Sequence, residues 1–489
     1  MKIRHWLAIA LLALSALPSL AQDARSVIAN ASKAMGLDGV NSLYYYGSGR
    51  SYSIGQNNNA NIPWPQTPLN DWVRAIDFSQ PAMRTTWMTY AVPVTGGIPR
   101  LTPAQQNVTP AQANNWNLQL ELWTTPWGFI KGAAASGNAT VKSERVGGKP
   151  YRVVTWSPAI KSPGGQSYKV VGWIDSDNLV TKVNTWVEHN IYGDLLVESE
   201  YGFYRDINGL KFPTEIVQRR AGWPVFDAQI LAAWANPSKL GQLMAVPAPP
   251  AGAGGPPGGA PGPVTTPSEK LADGVYRIRG AYNSLAVEMA DQVLLIEPGP
   301  QSEARALAGI AETRRLFPGK PIKYGVITHH HFDHTGGIAA VAAEGITIVT
   351  PAVNKAFLEK ALSGPRTLAP DALAKSGRKA VVEGFAGDKR VFQDATRTVE
   401  IHVIQGLPHA DGLVIAWLPK EKILVYADMF NFPAATEPVP NPPVIGTQVF
   451  LANLQRLGID TDKILSIHTM NPDRLATVQD IKASLGITN

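Results

Sequence analysis

The chain of 489 residues is 45% hydrophobic and 17% charged, has a formal charge of +6 and contains no cysteine. This length predicts two or more domains with a sizeable core, and the missing cysteine excludes disulfides, a cysteine nucleophile and thiolate metal ligands. Removing Lys2 and Arg4 with a leader leaves 6 − 2 = +4, and no basic run or basic helix gathers that surplus, which argues against nucleic acid as a partner.

The first 21 residues predict a signal peptide. Lys2, Arg4 and His5 give a basic start, Trp6 to Leu17 an apolar core, and Ser19 and Ala21 the small residues read by a signal peptidase. Cleavage is expected after Ala21, giving a periplasmic or secreted protein. No later apolar run reaches the ~20 residues of a membrane span.

Residues 22–245 predict a β-rich N-terminal domain. Ala24, Val27, Ile28, Ala31, Ala34 and Met35 share one face of a helix over Asp23 to Leu37. Strand-like runs follow, among them Tyr168 to Asp175 and Leu179 to Glu188. Leu195 to Gln218 reads as a hairpin closed by Asn208-Gly209, because this dipeptide accepts the positive φ angles of a two-residue turn. The expected architecture is one helix followed by a long antiparallel meander. Eleven of the thirteen tryptophans lie between Trp64 and Trp234; they are expected to fill the core of this sheet, with an apolar ligand groove as the alternative. The helix, the meander and the phrase YRDINGLKFPTEI resemble outer-membrane lipoprotein carrier-like domains, half-barrels round a helix, which implies an acyl or other apolar ligand.

Pro247 to Pro263 contains only Pro, Ala and Gly, so residues 246–264 are expected to form an extended linker. Residues 265–489 then alternate. Val275 to Ile278, Ser284 to Met289, Gln292 to Glu297, Ile322 to Thr328 and Thr347 to Thr350 read as strands, Ala304 to Phe317 as a helix, and a short helix is expected from about Gly336. This alternation predicts a layered α/β fold with its site on loops at strand ends.

Thr328 to Gly337 reads THHHFDHTGG, which puts four of the nine histidines within six residues. Protonated, these imidazoles would repel one another, whereas a metal ion binds them neutral. His329 and His331 alternate and point the same way in an extended loop, so both can reach one ion. Asp333 and His334 turn to another side, where a second ion can sit. His409, Asp428 and His468 each stand where a strand gives way to a loop. His330 is expected to point away from the ligands, His402 to be structural, and Asp411 to support a histidine ring or lie in a solvated turn.

The spacing His-x-His-x-Asp-His, followed by a later His, Asp and His, resembles the metallo-β-lactamase-fold hydrolases over roughly 265–489. The resemblance implies an αββα sandwich with a dinuclear site at one edge. His329, His331 and His409 would hold the first metal, Asp333, His334 and His468 the second, and Asp428 would bridge them. Where many relatives carry Gly after the last histidine, this chain has Thr469. A thiolate-free donor set suits two Zn²⁺, with Fe or Mn as alternatives. Such ions lower the pKa of bound water to about 7 and polarise the substrate oxygen, and Asp333 is the candidate catalytic residue that orients the nucleophile.

His331 stands where flavodiiron relatives carry Glu, the full ligand set argues against the mononuclear persulfide dioxygenases, and the leader argues against nucleic-acid-processing members. The expected function is an exported hydrolase acting on an ester, thioester, lactone or β-lactam type bond of a small molecule. The alternative is a periplasmic carrier whose metal domain is degenerate.

Overall fold

A computed structural model describes residues 24–91, 100–109, 115–245, 264–433 and 439–487. The leader, its cleavage site and the linker up to residue 263 lie outside the described residues. Among those described, no helix is long and apolar enough to cross a membrane.

The N-terminal part opens with a helix over 24–34. Its eleven strands are β1 (Ser42–Tyr52), β2 (Gln66–Asp77), β3 (Ala82–Ala91), β4 (Arg100–Thr109), β5 (Thr140–Val146), β6 (Lys149–Trp156), β7 (Val170–Ile174), β8 (Val180–His189), β9 (Gly193–Ile207), β10 (Leu210–Arg220) and β11 (Trp223–Ala235). They form one open antiparallel sheet in the order β4-β3-β2-β1-β11-β10-β9-β8-β7-β6-β5. The hairpin at Asn208-Gly209 is present, with φ of 55° and 80° joining β9 to β10.

The simple meander is corrected in two ways. Two further helices, Trp116–Trp123 and Pro126–Ser136, lie between β4 and β5 and carry the chain from one sheet edge to the other. That crossing leaves β1 free to pair with β11, which closes the order in the middle of the sheet. Asn115 and Thr125 start these helices by accepting a backbone N–H with their side chains, so each turn begins at a cap that local sequence supplies. Four of the tryptophans fill the core: Trp72, Trp116, Trp127 and Trp156 are buried with Ile28 and Ala31 of the first helix and Met35 just after it, whereas Trp234 is exposed. The Trp127 and Phe212 rings lie 4.2 Å apart, and Tyr45 stands 5.1 Å from Phe212. Losing one such buried Trp would cost about 3–5 kcal/mol.

The C-terminal part holds two sheets. One contains β12 (Ser268–Ala272), β13 (Val275–Ile278), β14 (Ser284–Glu288), β15 (Val293–Ile296), β16 (Ile322–Val326), β17 (Thr347–Pro351) and β18 (Val382–Phe385) in chain order, and the other β19 (Lys389–Gln393), β20 (Thr398–Val403), β21 (Val414–Leu418), β22 (Ile423–Tyr426) and β23 (Ile464–Ser466). Pairing is parallel from β15 to β18 and between β22 and β23, and antiparallel elsewhere. Both sheets are mixed.

Three buried clusters explain the layering. Leu285, Val287, Leu294 and Val326 meet Val399, Ile401, Val414 and Val425 between the sheets. On the outer face of the first sheet, Ala286 and Leu295 pack on Ala306 and Ile310 of the helix Glu303–Leu316, and on Leu358 of the helix Ala352–Ser363. On the outer face of the second, Ile415 and Leu424 pack on Phe450 and Leu454 of the helix Ile445–Leu457. Strands buried on both faces carry apolar residues continuously, as VLLI and ILVY do. The result is an αββα sandwich.

The two parts share packing. Ala60 and Ile191 of the N-terminal part enter the outer cluster of the first sheet, and Leu368 enters the N-terminal core. The Arg366 guanidinium donates to the carbonyls of Asn190 and Ile191, and Asp194 accepts from the backbone of Thr367 and Leu368.

Candidate metal centre

The sandwich brings all seven predicted ligands to one edge. Thr328 to His331 leave the end of β16, and a short helix, Phe332–Thr335, follows at once. The short helix expected from about Gly336 is Ile338–Ala343, and Phe332–Thr335 is an additional turn before it. The additional turn forms because His331 O accepts from the amides of His334 and Thr335, and it swings Asp333 and His334 away from His329 and His331. His409 lies between β20 and β21, Asp428 follows β22 with φ 57°, and His468 follows β23.

Potential ligand atoms fall into three overlapping groups: His329, His331 and His409; His329, His334 and Asp428; and Asp333, His334 and His468, with the atoms of each within 4.8 Å of one another. Asp428 lies between the first and third. Its Oδ2 is 2.9 Å from His334 Nε2, 3.6 Å from His329 Nε2 and 3.8 Å from His409 Nε2, while Oδ1 is 3.0 Å from His468 Nε2. Asp333 Oδ2 is 3.4 Å from His334 Nε2 and 3.7 Å from His468 Nε2.

The donor chemistry fits a metal. His329 Nε2 and both ring nitrogens of His409 are buried without a hydrogen-bond partner among the described residues. An orphaned buried polar atom costs about 1–3 kcal/mol, and a cation at the shared focus would satisfy them together. Burial, reinforced by neighbouring imidazoles, holds the pKa of His329 well below the ordinary histidine value and that of His331 down to about 3, so both are neutral lone-pair donors. Burial also lowers His409. His334 behaves oppositely: burial disfavours its charge, but Glu297 and Asp428 outweigh burial and raise its pKa well above the usual value. Asp428 is held well below the carboxylate range, because His334, His468 and His329 outweigh the effect of its burial.

These opposite shifts predict how protons leave on metal loading. His329, His331 and His409 are biased towards the neutral form that binds a metal, whereas His334 is biased towards keeping a proton. Calorimetric metal titrations in buffers of different ionisation enthalpy are expected to show more proton release when His334 is engaged than when the group His329, His331 and His409 is.

Three supporting residues carry no sequence signature. Glu297, fully buried, accepts from His334 Nδ1 at 2.9 Å and from the Thr328 amide at 3.0 Å, which aims His334 Nε2 at Asp428. It ends a strand that was legible, but nothing local marks its role. Tyr282 Oη donates to Asp333 Oδ2 at 2.9 Å, and its ring lies 4.3 Å from that of His468. Burial and Asp333 raise the Tyr282 pKa, so the hydroxyl stays protonated. Gln56, from the N-terminal part, donates to Asp333 Oδ1 at 2.9 Å.

The remaining expectations divide. His330 is buried beside the ligands but belongs to none of the groups; its Nε2 donates to the Asn57 carbonyl at 2.8 Å. His402 pairs with Glu400 at 2.8 Å within β20, a structural contact. Among the described residues Asp411 makes no hydrogen bond to a histidine ring; its carboxylate accepts from Asn59 Nδ2 at 3.0 Å. Thr469, in place of glycine, ties its hydroxyl to the Gly280 carbonyl, and its amide donates to Ala281 O.

Residues 277–452 match the metallo-beta-lactamase superfamily. Among solved structures, the chain is similar to a metallo-beta-lactamase from Pontibacter korlensis at 18% identity, with 46% of this chain and 98% of the other covered and a TM-score of 0.33. It is similar to the metallo-beta-lactamase FIM-1 from Pseudomonas aeruginosa in the mono-zinc form at 18% identity, with 46% and 96% covered and a TM-score of 0.34. The stereoselective inverting sec-alkylsulfatase Pisa1 from Pseudomonas sp. shares 18% identity, with 45% and 40% covered and a TM-score of 0.31. On the family match, residues 277–452 form a domain of the metallo-β-lactamase superfamily, whose members are metal-dependent hydrolases.

Proposed function

We propose that the protein is an exported dinuclear hydrolase acting on an ester, thioester, lactone or β-lactam type bond. The observation that carries this reading is the Asp428 carboxylate, which has one oxygen beside His334, His329 and His409 and the other beside His468. His329, His331 and His409 would hold one ion and Asp333, His334 and His468 the other, with Asp428 between them. The nitrogen and oxygen donors suit Zn²⁺, with Fe or Mn as alternatives. When bound, such ions lower the pKa of water towards about 7 and polarise the oxygen of the scissile bond.

The side chains do the positioning. Asp333 stays ionised, because His334, Gln56 and Tyr282 outweigh its burial, and it is the group that accepts a hydrogen bond from the attacking water. Asp333 and His468 are each about a third exposed, against 0% for His329 and His334, so substrate enters over them. The predicted leader over residues 1–21 supports export.

Metal analysis of the purified protein, beside a chromogenic ester, thioester, lactone and cephalosporin panel, tests the reading. Turnover that disappears in His331→Ala and Asp333→Ala is the expected result. Metal-free wild type that turns over no substrate would instead favour a carrier. One feature would serve a carrier: a cavity of about 810 Å³ lined by Ile28, Phe78, Ile130, Ala133 and the cations Arg25 and Lys131. Extraction of stoichiometric fatty acid from the purified protein would support that second reading.

A further inference from the structure

One loop of the N-terminal sheet reaches into the candidate metal centre. Between β1 and β2 the chain reads Ile54-Gly55-Gln56-Asn57-Asn58-Asn59-Ala60-Asn61-Ile62. Gln56 Nε2 donates to Asp333 Oδ1 at 2.9 Å. The Asn57 carbonyl accepts from His331 Nε2 at 3.0 Å and from His330 Nε2 at 2.8 Å. The Asn58 amide donates to the Pro408 carbonyl, next to His409, and Asn59 Nδ2 donates to Asp411 at 3.0 Å. The loop thus touches both segments that carry the histidines.

Its shape is built for this contact. Asn57 is 3% exposed, and its side-chain amide closes the loop on the carbonyls of Asn59 and Ile62, which holds the Asn57 carbonyl in place. Gly55 has φ +79° and passes flat over Phe332; a Cβ there would fall 2.2 Å from the ring. The Phe332 amide donates back to Gly55 O, and Trp64, 3% exposed, meets Phe332 edge to face. Ala60 is buried in the C-terminal part.

Resting on the hydrolase reading above, we infer that this loop is a strap that completes the metal centre from the other domain. A carbonyl can only accept, so His331 must carry its proton on Nε2 and present the Nδ1 lone pair. The amide nitrogen of Gln56 can only donate, so it ties Oδ1 of an ionised Asp333 and leaves Oδ2 facing His334 and His468. Gln56 and Asn57 are positioning residues: they act through Asp333 and His331. The N-terminal sheet is then part of the hydrolase and not merely its companion.

Chelator competition on full-length, zinc-loaded protein tests this. Wild type is expected to release its two ions in two stages. Gln56→Met keeps the length of the side chain and removes the donor; with Gln56→Ala, it is expected to release the weaker ion at a 10- to 100-fold lower chelator concentration while the other stage holds. In both variants kcat falls more than KM changes, and the melting temperature of the metal-free protein is unchanged. Wild-type release profiles in both variants would overturn the strap while leaving the hydrolase reading intact. Wild type that binds no metal, or a single ion in one stage, would overturn that reading and the strap with it.

Discussion

Replacing Asp428 by alanine is expected to lower kcat/KM a hundredfold to a thousandfold and to weaken both metal sites at once. Its two oxygens reach His334, His329, His409 and His468. The variant removes a negative charge that faces both imidazole groups. Charge stabilisation by a held metal is worth several kcal/mol, and about 3–4 kcal/mol corresponds to that range of rate. Asp428→Asn keeps the volume and one acceptor oxygen, so its metal content should fall less than that of the alanine variant. Inductively coupled plasma analysis beside steady-state kinetics checks both. An alanine variant that keeps two ions and wild-type turnover would remove Asp428 from the centre.

Glu297→Ala is expected to be the most destabilising single change near the site. The carboxylate is fully buried, and its removal strands the Thr328 amide and leaves His334 Nδ1 with the longer contact to the Thr328 hydroxyl at 3.3 Å. Breaking such a buried pair costs about 3–5 kcal/mol, which lowers the melting temperature of a domain this size by roughly 6–20 °C. Glu297→Gln retains an acceptor and should lose less. The pH dependence of the metal-free protein follows from the same pair. His334 has its pKa raised by folding, so this contribution is full below the unfolded histidine value near 6.5 and is lost as pH rises through the higher folded value. The melting-temperature difference between wild type and Glu297→Ala should therefore narrow at alkaline pH. A difference that widens there would contradict the pairing.

The contacts between the two parts explain why an apparent tether does not make them independent. Ala60, Ile191 and Leu368 each sit in the other part's core, and Arg366 and Asp194 bind backbone across the boundary. The strap of Gln56 and Asn57 uses that fixed alignment. A loop on a freely moving domain could not hold a carbonyl 3.0 Å from a ligand histidine.

The sequence by itself determined the parts of this protein whose rules are local. Alternation placed His329 and His331 on one side; apolar runs located β15, β16 and β22; Asn208-Gly209 closed its hairpin; and the strand patterns put His409, Asp428 and His468 where strands give way to loops. Only the tertiary structure decided the rest. The crossing by Trp116–Trp123 and Pro126–Ser136, which pairs β1 with β11, depends on which sheet edge is left open, and no local pattern records that. Gln56 stands 277 positions from Asp333, and the Asn57 carbonyl is 274 positions from His331. A glutamine amide and a backbone carbonyl are common to many surface loops; they become specific supports only once two domains have packed and set them at hydrogen-bond distance.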